Sequence, residues 1–165
     1  MTAAHQGTVC GADLRAAFSL RAEPVCAITS CDEYGERIGM TATSVTSVSL
    51  DPPMLLVCVA SRSLLASAMR AKLPFVVHFL STEQEDIARR LASPIEDKFR
   101  EVSHYMSSSG AARLKAAQAI LECEPDQVHQ AGDHLVVIGL VTRIDHAASD
   151  GPALLFHGGR FTRAE

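Results

Sequence analysis

Residues 39–59 read GMTATSVTSVSLDPPMLLVCV. From Ile38 to Leu50 the β-branched and hydroxyl side chains fit a pleated, half-buried surface and predict a strand region. Asp51-Pro52-Pro53 ends it, because proline has no N–H to give to a ladder. Met54–Val59 is then apolar at both alternating positions. A strand of that kind is covered on both faces, by a helix or by a second subunit.

Working outward, Val25–Cys31 is a strand, and the Glu33-Tyr34-Gly35-Glu36 turn follows, with a glycine that can take positive φ. Before it, residues 11–22 place Leu14, Ala17 and Phe18 on one helical stripe, which Pro24 stops. On the other side, Ser61-Arg62-Ser63 opens a helix to about Lys72, and Phe75–Leu80 is a strand. Ser81-x-x-Gln84 and Thr82-x-x-Glu85 both fit a capping box, predicting a helix through Ala92. Ser93-Pro94-Ile95-Glu96 restarts a short helix, with serine as cap and proline at the first position. Ser103–Ala112 reads as the longest loop. Ile120–Ala131 and His134–Ile144 flank the two-residue turn Gly132-Asp133, with Pro125 placing the first strand at an edge or on a bulge. Asp150-Gly151-Pro152 is a turn, and Ala153–Thr162 is a last strand. About six strands with helices between them, joined by hairpin-length connections, give a mainly β chain. A mostly antiparallel barrel or sheet is expected, one domain over residues 11–163 after a tail at 1–10.

The chain has 165 residues, 47% of them hydrophobic, enough for one core and against a disordered chain. No apolar run approaches ~18 residues, so no membrane span is expected. The first residues carry no basic and apolar leader, so no secretory signal is expected either. A net charge of −4 gives no basic surface for nucleic acid. The expectation is a soluble, cytoplasmic protein. Its five cysteines (Cys10, Cys26, Cys31, Cys58, Cys123) lack C-x-x-C spacing and read as thiols, mostly buried, in a reducing compartment. No metal site is expected.

Six of the nine residues from Thr41 to Ser49 bear hydroxyls. Such a strand either faces a polar planar ligand or is simply an edge wetted on one side. Ser61-Arg62-Ser63 offers two hydroxyls and a guanidinium at a helix start, which makes either an anion site or an ordinary cap beside a solvated arginine. Arg89-Arg90 and Lys98-Phe99-Arg100 add cations that a helix surface would also carry. His134, after Gly-Asp, and His157, before Gly158-Gly159-Arg160-Phe161, show no metal spacing. No nucleophile elbow, phosphate loop or G-x-G-x-x-G is present, so acyl and phosphoryl transfer lack support.

Taken together, these segments resemble the short-chain flavin reductases, the reductase components of two-component flavin-dependent monooxygenases. The resemblance runs through GMTATSVTSVSLDPPMLLVC (39–58), FVVHFLSTEQEDIARRLA (75–92), DKF (97–99) and LEC (121–123). It continues through HQAGDHLVVIGLV (129–141) and GPALLFHGGRF (151–161), covering roughly residues 11–163. It implies an FMN-binding split β-barrel of the flavin reductase type and a homodimer with flavin near the subunit boundary.

By the same resemblance, Met40, Thr41, Ala42, Thr43 and Ser44 follow the isoalloxazine and ribityl chain, with Cys58 and Val59 beneath. Ser61, Arg62 and Ser63 lie near the phosphate. His78, Phe79 and Leu80 wall the ring, with Lys98 and Phe99 close by. His134 meets the nicotinamide, and His157, Gly159, Arg160 and Phe161 close the pocket. His78 and Thr43 stand where the family often has Asn, and Leu140 where it often has Glu.

The implied activity is hydride transfer from NADH or NADPH to FMN or FAD, with reduced flavin passing to a partner monooxygenase. It needs no protein nucleophile, which suits a chain without those motifs. The competing expectations are a flavin-holding protein without turnover and an oxidase of the pyridoxamine-phosphate type.

Overall fold

The structure is a computed structural model describing residues 8–146 and 151–163. Most of the expected 1–10 tail, and Asp150 of the expected Asp-Gly-Pro turn, lie outside the described residues. The first helix, α1 (Gly11–Phe18), is shorter than the 11–22 stripe and buries none of its residues. Two short pieces lead into the sheet, β1 (Glu23–Pro24) and β2 (Cys26–Cys31). β3 (Arg37–Ala42) and β4 (Val45–Leu50) divide what the sequence reads as one strand region. β5 (Pro53–Ala60) returns along β4, with Leu50 opposite Pro53 across the Asp51-Pro52 turn.

α2 (Leu64–Arg70) is capped by Ser63, whose hydroxyl accepts from the Ala66 amide, so the helix starts later and ends earlier than expected. β6 (Phe75–Phe79) leads through a single 3-10 turn at Thr82–Gln84 into α3 (Glu85–Ala92). The short helix expected at Ser93–Glu96 does not form. There the Ser93 hydroxyl bonds back to the Arg90 carbonyl, and the Asp97 carboxylate accepts from the Phe99 and Arg100 amides in a turn of its own. The expected loop at 103–112 is instead a hairpin, β7 (His104–Met106) with β8 (Ala112–Leu114). β9 (Ala119–Ala131) and β10 (His134–His146) form the long hairpin around Gly132-Asp133. The expected last strand is two, β11 (Leu154–His157) and β12 (Arg160–Arg163), folded on Gly158-Gly159.

Seven strands form one sheet in the order β3-β2-β6-β9-β10-β5-β4, and every pairing within it is antiparallel. β3 and β4 are its two edges, yet only Thr43 and Ser44 separate them in sequence. The sheet must therefore curl until its edges meet, and one bent strand crosses the seam where no ladder closes it. That is a split barrel. Its interior holds Ile28, Val57, Val59, Phe75, Val77, Leu135 and Val137 under α2. Gly139 lets the Phe75 ring in: a Cβ there would stand 2.6 Å from Cζ of Phe75. β9 is an interior strand, and Pro125 sits at a bulge that leaves Asp126 unpaired between Pro125 and Gln127. The Lys72 ammonium bonds to the Pro125 and Asp126 carbonyls and closes it.

Outside β2 and β6 a second core of Val25, Leu80, Leu91, Phe99, Leu114 and Leu154 lies under α3, β8 and β11. The outer row of β5 and β10 (Met54, Leu56, Cys58, Val136, Ile138, Leu140) is only half-buried, so the cover expected on Met54–Val59 is one-sided within the chain. Among the described residues no helix is long and apolar enough to cross a membrane.

Candidate active site at the split of the barrel

The bent strand fixes where a ligand can enter. At the seam the Ser44 carbonyl accepts from the Cys58 amide at 3.2 Å, and the Ser44 hydroxyl donates to the Cys58 carbonyl at 3.1 Å. From this bracket the chain runs back along the open edge of β3 and forward from β5 into α2, and the two paths diverge. Between them lies a cleft of about 620 Å³ lined by Arg37–Met40, Arg62–Leu65 and the 94–98 segment. It is a direct consequence of the split.

Four of the expected flavin residues meet here from three separate segments: Met40, Arg62, Ser63 and Lys98. Arg62 is exposed and makes no hydrogen bond or ion pair among the described residues. The Lys98 ammonium donates to the Gly39 and Leu91 carbonyls at 3.2 and 2.8 Å, which leaves one of its three N–H groups for a ligand. Burial lowers the pKa of this lysine. Gly39 lets the second core press against β3, because a Cβ there would stand 2.8 Å from Leu91 and 2.9 Å from Phe99. Arg37, which local pattern did not single out, also lines the cleft; it bonds the His104 ring and lies over Phe99.

Beside the cleft, Ser61 meets the tip of the β9–β10 hairpin. Its amide donates to the Asp133 carbonyl at 2.9 Å, and its hydroxyl accepts from the Gln130 amide at 2.7 Å. His134 is exposed at this tip, with Nδ1 2.7 Å from the Asp133 carboxylate. A carboxylate only accepts, so Nδ1 carries the proton and Nε2 is left as an acceptor. The hydrogen bond it accepts from His134 lowers the Asp133 pKa.

A second, smaller hollow of about 310 Å³ collects Thr43, His157 and Gly159 with Phe18, Arg15 and Arg21. Arg160 is exposed at the start of β12, and Phe161 packs edge-on to Phe156 with Arg89 over its face. His157 and Gly159 thus line the second hollow, whereas His134 lines neither it nor the larger cleft.

Several expected site residues point elsewhere. Thr41 donates its hydroxyl to the Ala88 carbonyl at 2.6 Å and ties β3 to α3. Ala42 and Val59 are in the barrel interior, and Leu80 and Phe99 are in the second core. Phe79 lines an apolar hollow with Val45, Leu50 and Ile144. His78 is fully buried, with Nδ1 donating to the Ala27 carbonyl and Nε2 accepting from the Leu114 amide. Burial pushes its pKa down to about 4, against the Ala27 bond and with the help of Arg113. In this conformation its side chain cannot wall a ligand.

The chain belongs to the flavin reductase-like family: the model of the flavin reductase like domain matches residues 18–165. A Rhizobium meliloti protein named "Probable flavin reductase" is 38% identical over 90% of this chain and 48% of its own length. The reductase component of the flavin-dependent trigonelline monooxygenase of Acinetobacter baylyi is 33% identical over 93% and 49%. The chain thus spans about half the length of these curated relatives. Among solved structures, the NADH:FAD oxidoreductase SgcE6 of Streptomyces globisporus, in complex with NAD and FAD fragments, superposes with a TM-score of 0.86. It is 34% identical, covering 93% of this chain and 92% of that one.

Proposed function

We propose that this chain is an NAD(P)H:flavin oxidoreductase that reduces FMN or FAD and passes the reduced flavin to a flavin-dependent monooxygenase. The observation that carries the reading is the wedge at the split, where a partnerless guanidinium, an ammonium with a donor to spare and the apolar Met40 converge. This donor set fits an anionic, flat-ringed group. A flavin held there by Arg62, Lys98 and Met40 would supply the redox chemistry, as acceptor of hydride from a dihydronicotinamide.

The residues of the chain bind, orient and exclude water. Arg62 and Lys98 hold the phosphate with charge-assisted hydrogen bonds. The Ser44–Cys58 bracket fixes the distance between β3 and β5 on which the ring rests. His134 positions the nicotinamide: Asp133 holds its Nδ1–H, and Nε2 accepts a hydrogen bond from the carboxamide, with no proton transferred. Family membership and the reductase-component relative support a monooxygenase as recipient. The half-buried apolar row on β5 and β10 supports a homodimer, and the reducing setting that the free thiols suit supports the cytoplasm.

The test is to follow NADH and NADPH oxidation by the purified protein with and without FMN, FAD or riboflavin. Consumption that requires added or bound flavin is expected. A protein that binds flavin but oxidises neither nucleotide would overturn the assignment in favour of storage.

A further inference from the structure

The Arg62 guanidinium is without a partner among the described residues, yet both of its neighbours in the chain are fixed. Its backbone is the third residue of a tight turn, closed by the Ser63 amide on the Ala60 carbonyl at 2.9 Å. Ser63 is the cap of α2. Ser61 is held on its amide, hydroxyl and carbonyl from three different elements. The amide donates to the Asp133 carbonyl in the β9–β10 turn, and the hydroxyl accepts from Gln130 Nε2 on β9 at 2.7 Å. The carbonyl accepts from Arg70, the last residue of α2, at 3.0 Å.

Arg70 also donates to Gln130 Oε1 at 3.3 Å, and Gln130 Nε2 reaches the Gly132 carbonyl at 2.7 Å. The bonds thus close a ring through β9, the hairpin turn, the β5–α2 corner and the end of α2. Gln130 stands at its centre, donating to the corner and the turn and accepting from the helix. Gln130, Arg70 and Ser61 do not line the cleft, whereas Arg62 does. On a loose corner that arginine would lose more conformational freedom on meeting an anion. It would also be free to turn to a rival, the Asp133 carboxylate, whose pKa is lowered by the hydrogen bond from His134 and, more weakly, by the charge of Arg62.

We infer that Gln130 and Arg70 are positioning residues: by pinning Ser61 they hold Arg62 at the cleft, and so raise its affinity for the anionic tail of a flavin that neither of them touches. This deepens the function proposed above and rests on it, since there Arg62 holds the phosphate.

The experiment is a double-mutant cycle. FMN and FAD are titrated by fluorescence quenching into wild-type protein, Gln130→Ala, Arg62→Ala and the double variant, with melting temperatures measured alongside. Gln130 is exposed, so its truncation leaves the core untouched. It is expected to weaken flavin binding about threefold when Arg62 is present and to add no loss in the Arg62→Ala background, with the melting temperature close to wild type. Arg70→Ala, which releases the Ser61 carbonyl, should repeat the pattern. Equal losses in both backgrounds would overturn the positioning role, because a disturbed fold or a direct contact moves both alike. So would an affinity that neither Gln130→Ala nor Arg70→Ala changes. If Arg62→Ala binds flavin as well as the wild type, or the wild type binds none, it is the placing of the phosphate at Arg62 that fails, and the role of Gln130 fails with it.

Discussion

The two sides of the seven-stranded sheet treat polar atoms in opposite ways. Behind β2 and β6, Thr29 donates to the Ala112 carbonyl, and His78 is held between Ala27 and Leu114. Arg113, only 3% exposed, is paired with Glu122 and Asp145 and lies over Tyr105. The exceptions on this side are Ser81 Oγ and Arg113 Nε, the buried side-chain atoms that lack a partner among the described residues. At the cleft along β3, Arg62 has no partner among the described residues and Lys98 keeps a donor. Polar residues in both regions look equally chemical in sequence. Satisfied hydrogen-bonding capacity marks architecture, and residual capacity in a cavity marks a site.

The sharpest way to break this contrast is to exchange the expected consequences. Arg113→Met should leave the Glu122 carboxylate facing a dry wall and lower unfolding free energy by about 3 kcal/mol in urea titrations, with flavin affinity unchanged in the folded fraction. Next comes His78. Its folded value of about 4 lies below the ordinary 6.5, so between those pH values the unfolded chain takes up a proton that the native one refuses. Stability is therefore unaffected above about pH 6.5 and declines as pH falls to about 4, by about 3 kcal/mol in all. His78→Asn should flatten that decline, measured as denaturation midpoint against pH.

On the wedge side the effects move from stability to binding. Arg62→Ala should raise the flavin Kd by about tenfold with no shift in melting temperature, since it removes a charge-assisted bond and nothing from the core. The smallest and most selective effect belongs to His134→Ala. It should raise the apparent KM for NADH by about fivefold while the flavin KM stays near its original value, consistent with the loss of one neutral hydrogen bond. Equal rises in both would remove the positioning role.

Much of this arrangement was legible locally. The hydroxyl strand, the Asp-Pro turn, the apolar β5 and the Gly132-Asp133 hairpin all depend on near neighbours and appear where the pattern puts them. The kink at Thr43-Ser44 was not, because TATS has uniform strand character and the bend comes from closing the barrel. The 103–112 segment reads as a loop from its serines. It forms a hairpin because Ala112 and Leu114 are buried in the second core and Arg113 finds acids on β9 and β10. The burial of His78 is not legible locally for the same reason: its partners stand 51 and 36 residues away. Ser61 and Ser63 are equally good caps by composition; the cap is Ser63, whose hydroxyl accepts from the Ala66 amide, while the Ser61 hydroxyl is taken by Gln130.

The bracket between Ser44 and Cys58 has a mechanical consequence. Beyond it β3 and β5 share no rung of the sheet, and α2, packed against β2, β3 and β5 alike, spans the gap by side chains alone. A planar guest entering there would displace side-chain packing and no backbone hydrogen bond of the sheet.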